Sequence, residues 1–193
     1  MKVTNNLTGN LKPSPRKIQV KKSGVHGKGV FAARDILKGE TLIEYVGEII
    51  SAQEAEDRHP HDPSDPNHTF YFQIDDDKVI DALHGGNSAR WINHCCAPNC
   101  KPEVIDGRVF IKAKKDIAAG SELNYDYGLI IDEPISKKLK AQYPCWCGSA
   151  NCRGTLLAIE KKSEKQQRKL ALKNLEEKLK KIKSKISSLK KRK

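Results

Sequence analysis

No run of about 18 apolar residues occurs in this 193-residue chain, so no transmembrane helix is predicted. The segment Met1 to Pro15 is polar and lacks the apolar core of a secretory signal. No cysteine precedes Cys95, and all six fall between Cys95 and Cys152. That clustering, without a secretory signal, favours metal binding over disulfides. Net charge is missing from most of the chain. Lys161 to Lys193 holds 15 basic and 3 acidic residues of the 36 and 24 in the whole sequence, which leaves 21 of each sign in residues 1–160. The formal +12 therefore belongs to the tail, and the body is a neutral unit whose site the overall charge does not describe. Hydrophobic content of 37% is low and charged content of 31% is high for a globular protein. The length suits one domain with an appendage.

Short apolar runs recur in the body: Ile18-Gln19-Val20, Gly29-Val30-Phe31-Ala32, Thr41-Leu42-Ile43, Phe70-Tyr71-Phe72-Gln73-Ile74 and Val79-Ile80. Turn residues separate them, as in Leu37-Lys38-Gly39-Glu40, which predicts many short strands rather than long helices. Asp106-Gly107 between Val104-Ile105 and Val109-Phe110-Ile111 is a strong hairpin-turn pair. Ser51-Ala52-Gln53-Glu54 has the pattern of a capping box opening a short helix. His59 to Asn67 carries three prolines and reads as a loop. In the tail, Leu172, Leu175, Leu179, Ile182, Ile186 and Leu189 follow a 3-4-3-4-3 spacing, which predicts an amphipathic basic helix. Lys178, Lys183, Lys185 and Lys190 would set like charges against each other in a homodimeric coiled coil. A monomer is expected, with the tail meeting an anionic partner such as nucleic acid, or the body; the plainer alternative is a solvated basic tail.

Chemistry concentrates in four places. Tyr125 and Tyr127 sit at i and i+2, so a regular strand would turn both to one side. Cys145-x-Cys147-x4-Cys152 offers three thiolates within eight residues, one short of a tetrahedral zinc site. Spacing does not choose the fourth among Cys95, Cys96 and Cys100. His26-Gly27-Lys28-Gly29-Val30 supplies a Gly-x-Gly turn, where backbone approaches a ligand closely. Asn93-His94 follows Arg90-Trp91-Ile92 directly.

Glu44-Tyr45-Val46-Gly47, the run from Arg90 to Cys100, the run from Glu122 to Gly128, and Cys145-Trp146-Cys147-Gly148 with Cys152 occur in this order. Together they resemble a SET domain with its trailing zinc segment, over roughly residues 17 to 157. The resemblance implies a mostly β fold of several small sheets with a pseudoknot-like core. Its boundaries would be a mobile N-terminal arm at 1–16, a SET domain at 17–130, a post-SET zinc segment at 131–159 and a basic amphipathic helical tail at 160–193. It implies a protein-lysine methyltransferase using S-adenosylmethionine. Tyr127 would be tied most closely to catalysis and Tyr45 would line the lysine channel. Tyr125, where relatives carry Tyr or Phe, would limit products mainly to mono- or dimethyl-lysine. Lys28, Gly29, Val30, Phe70, Arg90, Asn93 and His94 would serve the donor pocket, and Trp146 would cover donor or substrate. The family's Asn-His-Ser-Cys makes Cys96 the fourth ligand of a structural Zn2+ beside Cys145, Cys147 and Cys152, with Cys95 in the place of serine.

Such a reaction fits the residue types. A free lysine has a pKa near 10.4, so the neutral amine costs about 4 kcal/mol at neutral pH. An apolar channel and an adjacent sulfonium charge both lower that pKa, so a strong base is not required. Tyrosine rings exclude water while their hydroxyls orient the amine. Several departures from the family bear on substrate. The cysteine-rich segment that precedes many histone-directed relatives is absent before Cys95, Lys28 stands where an aromatic residue or Arg is common, and the insert from Glu54 to Thr69 is short; Phe70 stands where tyrosine is common, which would remove one hydrogen bond to the donor. The expected substrate is a basic protein tail, histone or histone-like, attracted by Asp62, Asp65, Asp75, Asp76 and Asp77. The expected location is intracellular: the nucleus and chromosome of a eukaryote or, for a bacterial enzyme, the cytoplasm with delivery to a host nucleus as an option. The competing reading is a non-catalytic nucleic-acid or chromatin-binding module that uses the tail and the scaffold; a third is a scaffold assembled through the terminal helix.

Overall fold

The computed structural model describes residues 16–60, 68–131 and 134–158, and in the tail residues 179, 180, 182 and 183. The expected N-terminal arm up to Pro15, most of the expected tail helix, and Asp62 and Asp65 lie outside the described residues. The chain divides into a unit ending at Leu157 and a second unit, Ala158–Lys193. In the second, the described residues 179, 180, 182 and 183 are helical and exposed.

The first unit is mostly β, made of small sheets. β1 (Ile18–Lys22) and β2 (Lys28–Ala32) form an antiparallel pair. β3 (Thr41–Tyr45), β8 (Cys100–Ile105) and β9 (Arg108–Ala113) form a second sheet with β9 in the middle. β4 (Glu48–Ser51), β5 (Tyr71–Gln73) and β6 (Lys78–Asp81) form a third, with β6 in the middle. β9 shows why its residues make a strand: Val109, Ile111 and Ala113 point into the core while Arg108, Phe110 and Lys112 point away, the period of two that a pleat imposes. The β8–β9 turn uses Asp106 at φ 50° and Gly107 at φ 73°, the two positive angles that a tight two-residue hairpin requires.

α1 (Ala52–Arg58) starts at Ser51, whose hydroxyl accepts from the Glu54 N–H at 3.1 Å. The reciprocal arm of the predicted capping box is diverted, because Glu54 pairs with Arg58 one turn on, at 2.6 Å. A 3-10 helix, Ser88–Trp91, is capped by Asn87, which also donates to the Glu44 carbonyl at 2.8 Å and so ties the helix to β3.

The site is positioned by two two-residue strands. β7 (Asn93–His94) pairs in parallel with β10 (Asn124–Tyr125), in the register Asn93↔Asn124 and His94↔Tyr125. A parallel pair needs a crossover. Here the β8–β9 hairpin and the returning segment supply it, and bridges Ile36↔Ile117 and Phe31↔Glu122 fasten that return. Val30, Ile92, Val109, Ile111 and Leu123 are among the fully buried side chains beneath this crossing. After Gly128 the chain bridges Leu129 to Leu157, runs through α2 (Lys137–Gln142), and bridges Pro144 to Thr155. No helix among the described residues is long and apolar enough to cross a membrane.

Candidate active site

Three tyrosines from two segments, Tyr45 at the end of β3 and Tyr125 with Tyr127 on the β10 segment, meet with Phe72 over the β7–β10 crossing. Tyr125 and Tyr127 have ring centroids 5.2 Å apart, and Phe72 joins Tyr125 at 6.3 Å and Tyr45 at 5.3 Å. Tyr45 is 4% exposed and Tyr125 7%. The Tyr45 hydroxyl donates to the Phe70 carbonyl at 2.9 Å, and the Tyr127 hydroxyl to the Ile92 carbonyl at 3.0 Å. Both phenols thus spend their proton on backbone and keep oxygen lone pairs for another donor. Burial pushes all three tyrosine pKa values up, so these groups stay neutral phenols and none is a base at neutral pH.

Beside the rings lies a polar shelf. The Asn93 amide donates to the Lys28 carbonyl at 3.0 Å and to Glu122 Oε1 at 2.9 Å; the Ser23 hydroxyl donates to the same oxygen at 2.7 Å. Glu122 therefore clamps the turn between β1 and β2 to β7. Gly29 is required by this clamp, because a Cβ there would collide with Glu122 Oε1 and stand 3.0 Å from Ser23 Cβ. At Gly27, with φ 46°, the space that a Cβ would take is open. Next to this turn Lys28 Nζ stands 4.7 Å from the Trp91 ring centroid, and Trp91 meets Phe70 edge-on at 5.0 Å.

Arg90 covers the same two rings, at 4.8 Å from Trp91 and 5.7 Å from Phe70, and donates to the Ala82 carbonyl at 2.9 Å. Val30 is wholly buried, so only its backbone is offered to the turn. His94 is buried, and burial drops its pKa to about 4. It is neutral, with Nδ1 accepting from the Tyr127 N–H at 3.0 Å, which puts its proton on Nε2, 3.3 Å from Cys96 Sγ.

The Sγ atoms of Cys96, Cys145, Cys147 and Cys152 all lie within 4.8 Å of one another, and the Cys96–Cys145 pair is 3.7 Å apart. Zinc–thiolate bonds of about 2.3 Å give a tetrahedron edge of about 3.8 Å, so the donor set and its spacing fit Zn2+. Backbone N–H groups already point at the sulfurs: Arg153 N donates to Cys96 at 3.3 Å, and Cys96 N to Cys147 at 3.5 Å. Burial alone would raise the Cys147 pKa; the Cys96 N–H and the Ser149 groups outweigh it and lower it. Of the cysteines between which spacing could not choose, Cys96 faces this group. Cys100 is buried 3.3 Å from Asn99 Oδ1, where burial pushes its thiol up to about 11, and Cys95 accepts from the Ala97 N–H at 3.4 Å. Trp146, between two of the thiols, is 74% exposed.

Sequence patterns do not single out Glu122, Ser23, Phe72, Asp126 or Arg153. One signal was available for the last two: an acid set between two tyrosines and an arginine set after a cysteine each call for a partner. The structure makes them partners, with Nη1–Oδ2 2.5 Å and Nη2–Oδ1 2.8 Å.

A family model described as SET domain matches residues 27–128. The chain is similar to the histone-lysine N-methyltransferase trr of Drosophila melanogaster, 40% identical over 140 residues, which is 70% of this chain and 6% of that protein. It is similar to a histone-lysine N-methyltransferase of Mycosarcoma maydis named as H3 lysine-4 specific, 38% identical over 148 residues, 74% of this chain and 10% of that protein. Against the histone-lysine N-methyltransferase trithorax of Drosophila melanogaster, identity is 39% over 140 residues, 70% of this chain and 4% of that protein. The chain thus spans no more than 10% of the length of these three relatives.

Proposed function

The chain belongs to the SET-domain family, and from that premise we propose that it is an S-adenosylmethionine-dependent protein-lysine N-methyltransferase. The observation that carries the reading is the triad of the buried Tyr45 and Tyr125 and the partly buried Tyr127, with the phenols of Tyr45 and Tyr127 anchored to backbone carbonyls beside Asn93-His94. S-adenosylmethionine supplies a methyl group on a sulfonium, whose C–S bond breaks as the amine lone pair forms the N–C bond. The turn His26 to Val30, with Phe70, Arg90, Asn93 and His94, holds the donor, and Trp146 covers it or the substrate. The open backbone at Gly27 and the aromatic floor of Trp91 and Phe70 suit that role.

The protein's own groups do the rest. The rings exclude water, so the amine is driven toward its neutral form before attack. Its proton leaves to solvent, since no phenol in the channel has a pKa low enough to take it. The spare lone pairs of Tyr45 and Tyr127 accept the remaining amine N–H groups and aim the nitrogen, which is the orientation term in the rate. The buried Tyr125 hydroxyl leaves less space beside the amine and favours mono- and dimethyl products.

The substrate is a basic tail, histone or histone-like. Histone H3 is the first candidate because of the name of the Mycosarcoma maydis relative. Asp75, Asp76 and Asp77 are exposed and add local negative charge. Cys96, Cys145, Cys147 and Cys152 hold one structural Zn2+. The protein acts as a monomer at chromatin, in a eukaryotic nucleus or as a bacterial protein in a host nucleus. Residues 161–193 bind DNA through phosphate contacts with steep salt dependence. Labelled donor incubated with the protein and a mixture of histones, ribosomal proteins and DNA-packaging proteins tests this reading. Label on lysine of a basic protein is expected; no transfer, together with DNA binding that truncation after Ile159 abolishes, would favour a non-catalytic chromatin-binding module instead.

A further inference from the structure

Resting on the methyltransferase reading, we propose that Arg153 is a positioning residue that fastens the thiol-bearing C-terminal segment to the Tyr125–Tyr127 strand, so that metal loading sets the place of Tyr127. Arg153 follows Cys152 directly, and its backbone N–H donates to Cys96 Sγ at 3.3 Å. Its guanidinium grips Asp126 with both arms, at 2.5 and 2.8 Å. Asp126 stands between Tyr125 and Tyr127, and its Oδ1 also accepts from the Gly128 N–H at 3.1 Å, which closes the turn just past Tyr127. The Tyr127 N–H donates to His94 Nδ1 at 3.0 Å, and His94 Nε2 lies 3.3 Å from Cys96 Sγ.

These contacts form a closed circuit. It runs from the thiols through Cys152 to Arg153, across to Asp126, along the chain to Tyr127, and back through His94 to Cys96. Every link is covalent or a hydrogen bond. The segment that the thiols close thus holds the catalytic tyrosine from both sides of its peptide.

Most surface ion pairs contribute little. This one is partly covered, as is the Arg34–Glu40 pair at 28% and 22% exposed, and it is set apart by joining the thiol-bearing segment to the chain between two tyrosines. The Arg153 and Asp126 side chains are 23% and 37% exposed, whereas Arg108, in its pair with Glu44, is 62% exposed and lies on a hairpin away from the thiols. The planar fork also fixes a carboxylate in angle as well as distance, which a lysine does not reproduce. Methyl transfer is sensitive to such placement, since an error of about 1 Å costs on the order of 100-fold in rate.

Full-length, zinc-loaded Arg153→Ala, Arg153→Lys and Asp126→Asn proteins test the proposal. Zinc content, kcat and KM on a histone H3 tail peptide, and hydrogen exchange at the Tyr127 and Gly128 amides are measured on each. Arg153→Ala should keep its zinc, lose roughly ten- to a hundredfold in kcat, and change the peptide KM little. Arg153→Lys should recover part of that loss. The double variant with Asp126→Asn should be no worse than Arg153→Ala alone, as expected of one shared interaction. The two amides should exchange in zinc-loaded Arg153→Ala as fast as in wild type stripped of zinc by a chelator.

Unchanged kcat with wild-type exchange would overturn the proposal, and so would additive losses in the double variant. Loss of zinc from Arg153→Ala would overturn it as well, by making the residue a metal-retention group. If wild type methylates no lysine at all, the functional reading falls, and the exchange data still decide whether Arg153 links the metal to Tyr127.

Discussion

Tyr45, Tyr125 and Tyr127 are held by a core that draws on almost every strand of the body, and their hydroxyl and backbone groups are tied to carbonyls and to His94. Cys96, Cys145, Cys147 and Cys152 sit where little apolar mass is available: among the described residues of the C-terminal segment only Leu139, Cys145, Thr155 and Leu157 are buried. The aromatic channel is therefore stable through burial, which needs no ligand. The C-terminal segment has too small a core to fix itself, and its thiols are converging on a centre that a metal would complete. One chain thus meets two precision requirements by different physics, and the weaker region is joined to the stronger through His94 and Arg153.

The largest break should come from removing a thiol. Cys145→Ser should release the metal, and the chain around α2 and Thr155 should lose protection from exchange, while the β1–β2 and β3–β9 pairs keep theirs. Metal analysis and exchange on the same sample check this; equal loss in both regions would mean that they are one cooperative unit. A smaller effect is expected from Gly29→Ala. Its methyl displaces Glu122, loosens Asn93 and weakens donor binding, at a cost in stability of about 1–3 kcal/mol. Calorimetry of donor binding reads the first effect and thermal unfolding the second.

Smaller still is the effect of pH on the channel. Burial raises the pKa of Tyr45 and Tyr127 above their ordinary value near 10. The sign follows from that direction. The rate should climb with pH as the substrate amine loses its proton, and no fall from tyrosine ionisation should appear below about pH 10. A bell with its alkaline limb near pH 8 would mean that another group must stay protonated. The smallest change is Tyr125→Phe, which should leave the single-turnover rate within a few-fold and move the product toward di- and trimethyl-lysine. Mass spectrometry at long reaction times reads it, and a wild type that already trimethylates would remove the steric role of the hydroxyl.

Much of this was legible in the sequence because it depends on local chemistry. The Asp106-Gly107 turn, the Ser51 cap and the strand alternation of Val109 to Ala113 are each dictated by neighbours a few residues away. The thiol group was legible for a related reason, since three of its members lie within eight residues. Choosing Cys96 over Cys95 and Cys100 required the resemblance, because the three differ in the side of the chain they face rather than in spacing. The Glu122 clamp and the Arg153–Asp126 pair were not legible. Their partners are 99, 29 and 27 residues away, brought near by the β7–β10 pair and by the bridges Phe31↔Glu122 and Leu129↔Leu157. Arg90 was picked out by the resemblance, whereas its position over Trp91 and its bond to the Ala82 carbonyl depend on packing.

Mass analysis of a histone H3 tail peptide after incubation with S-adenosylmethionine and either wild-type protein or Tyr127→Phe tests the central claim most directly. Methyl groups on a lysine with wild type, and turnover lower by about a hundredfold or more in a variant that unfolds at the wild-type temperature and binds the donor equally well, is the predicted result. Equal methylation by the two proteins would contradict the role given to the Tyr127 hydroxyl, and an unmodified peptide with wild type, repeated across basic protein tails, would contradict the enzyme.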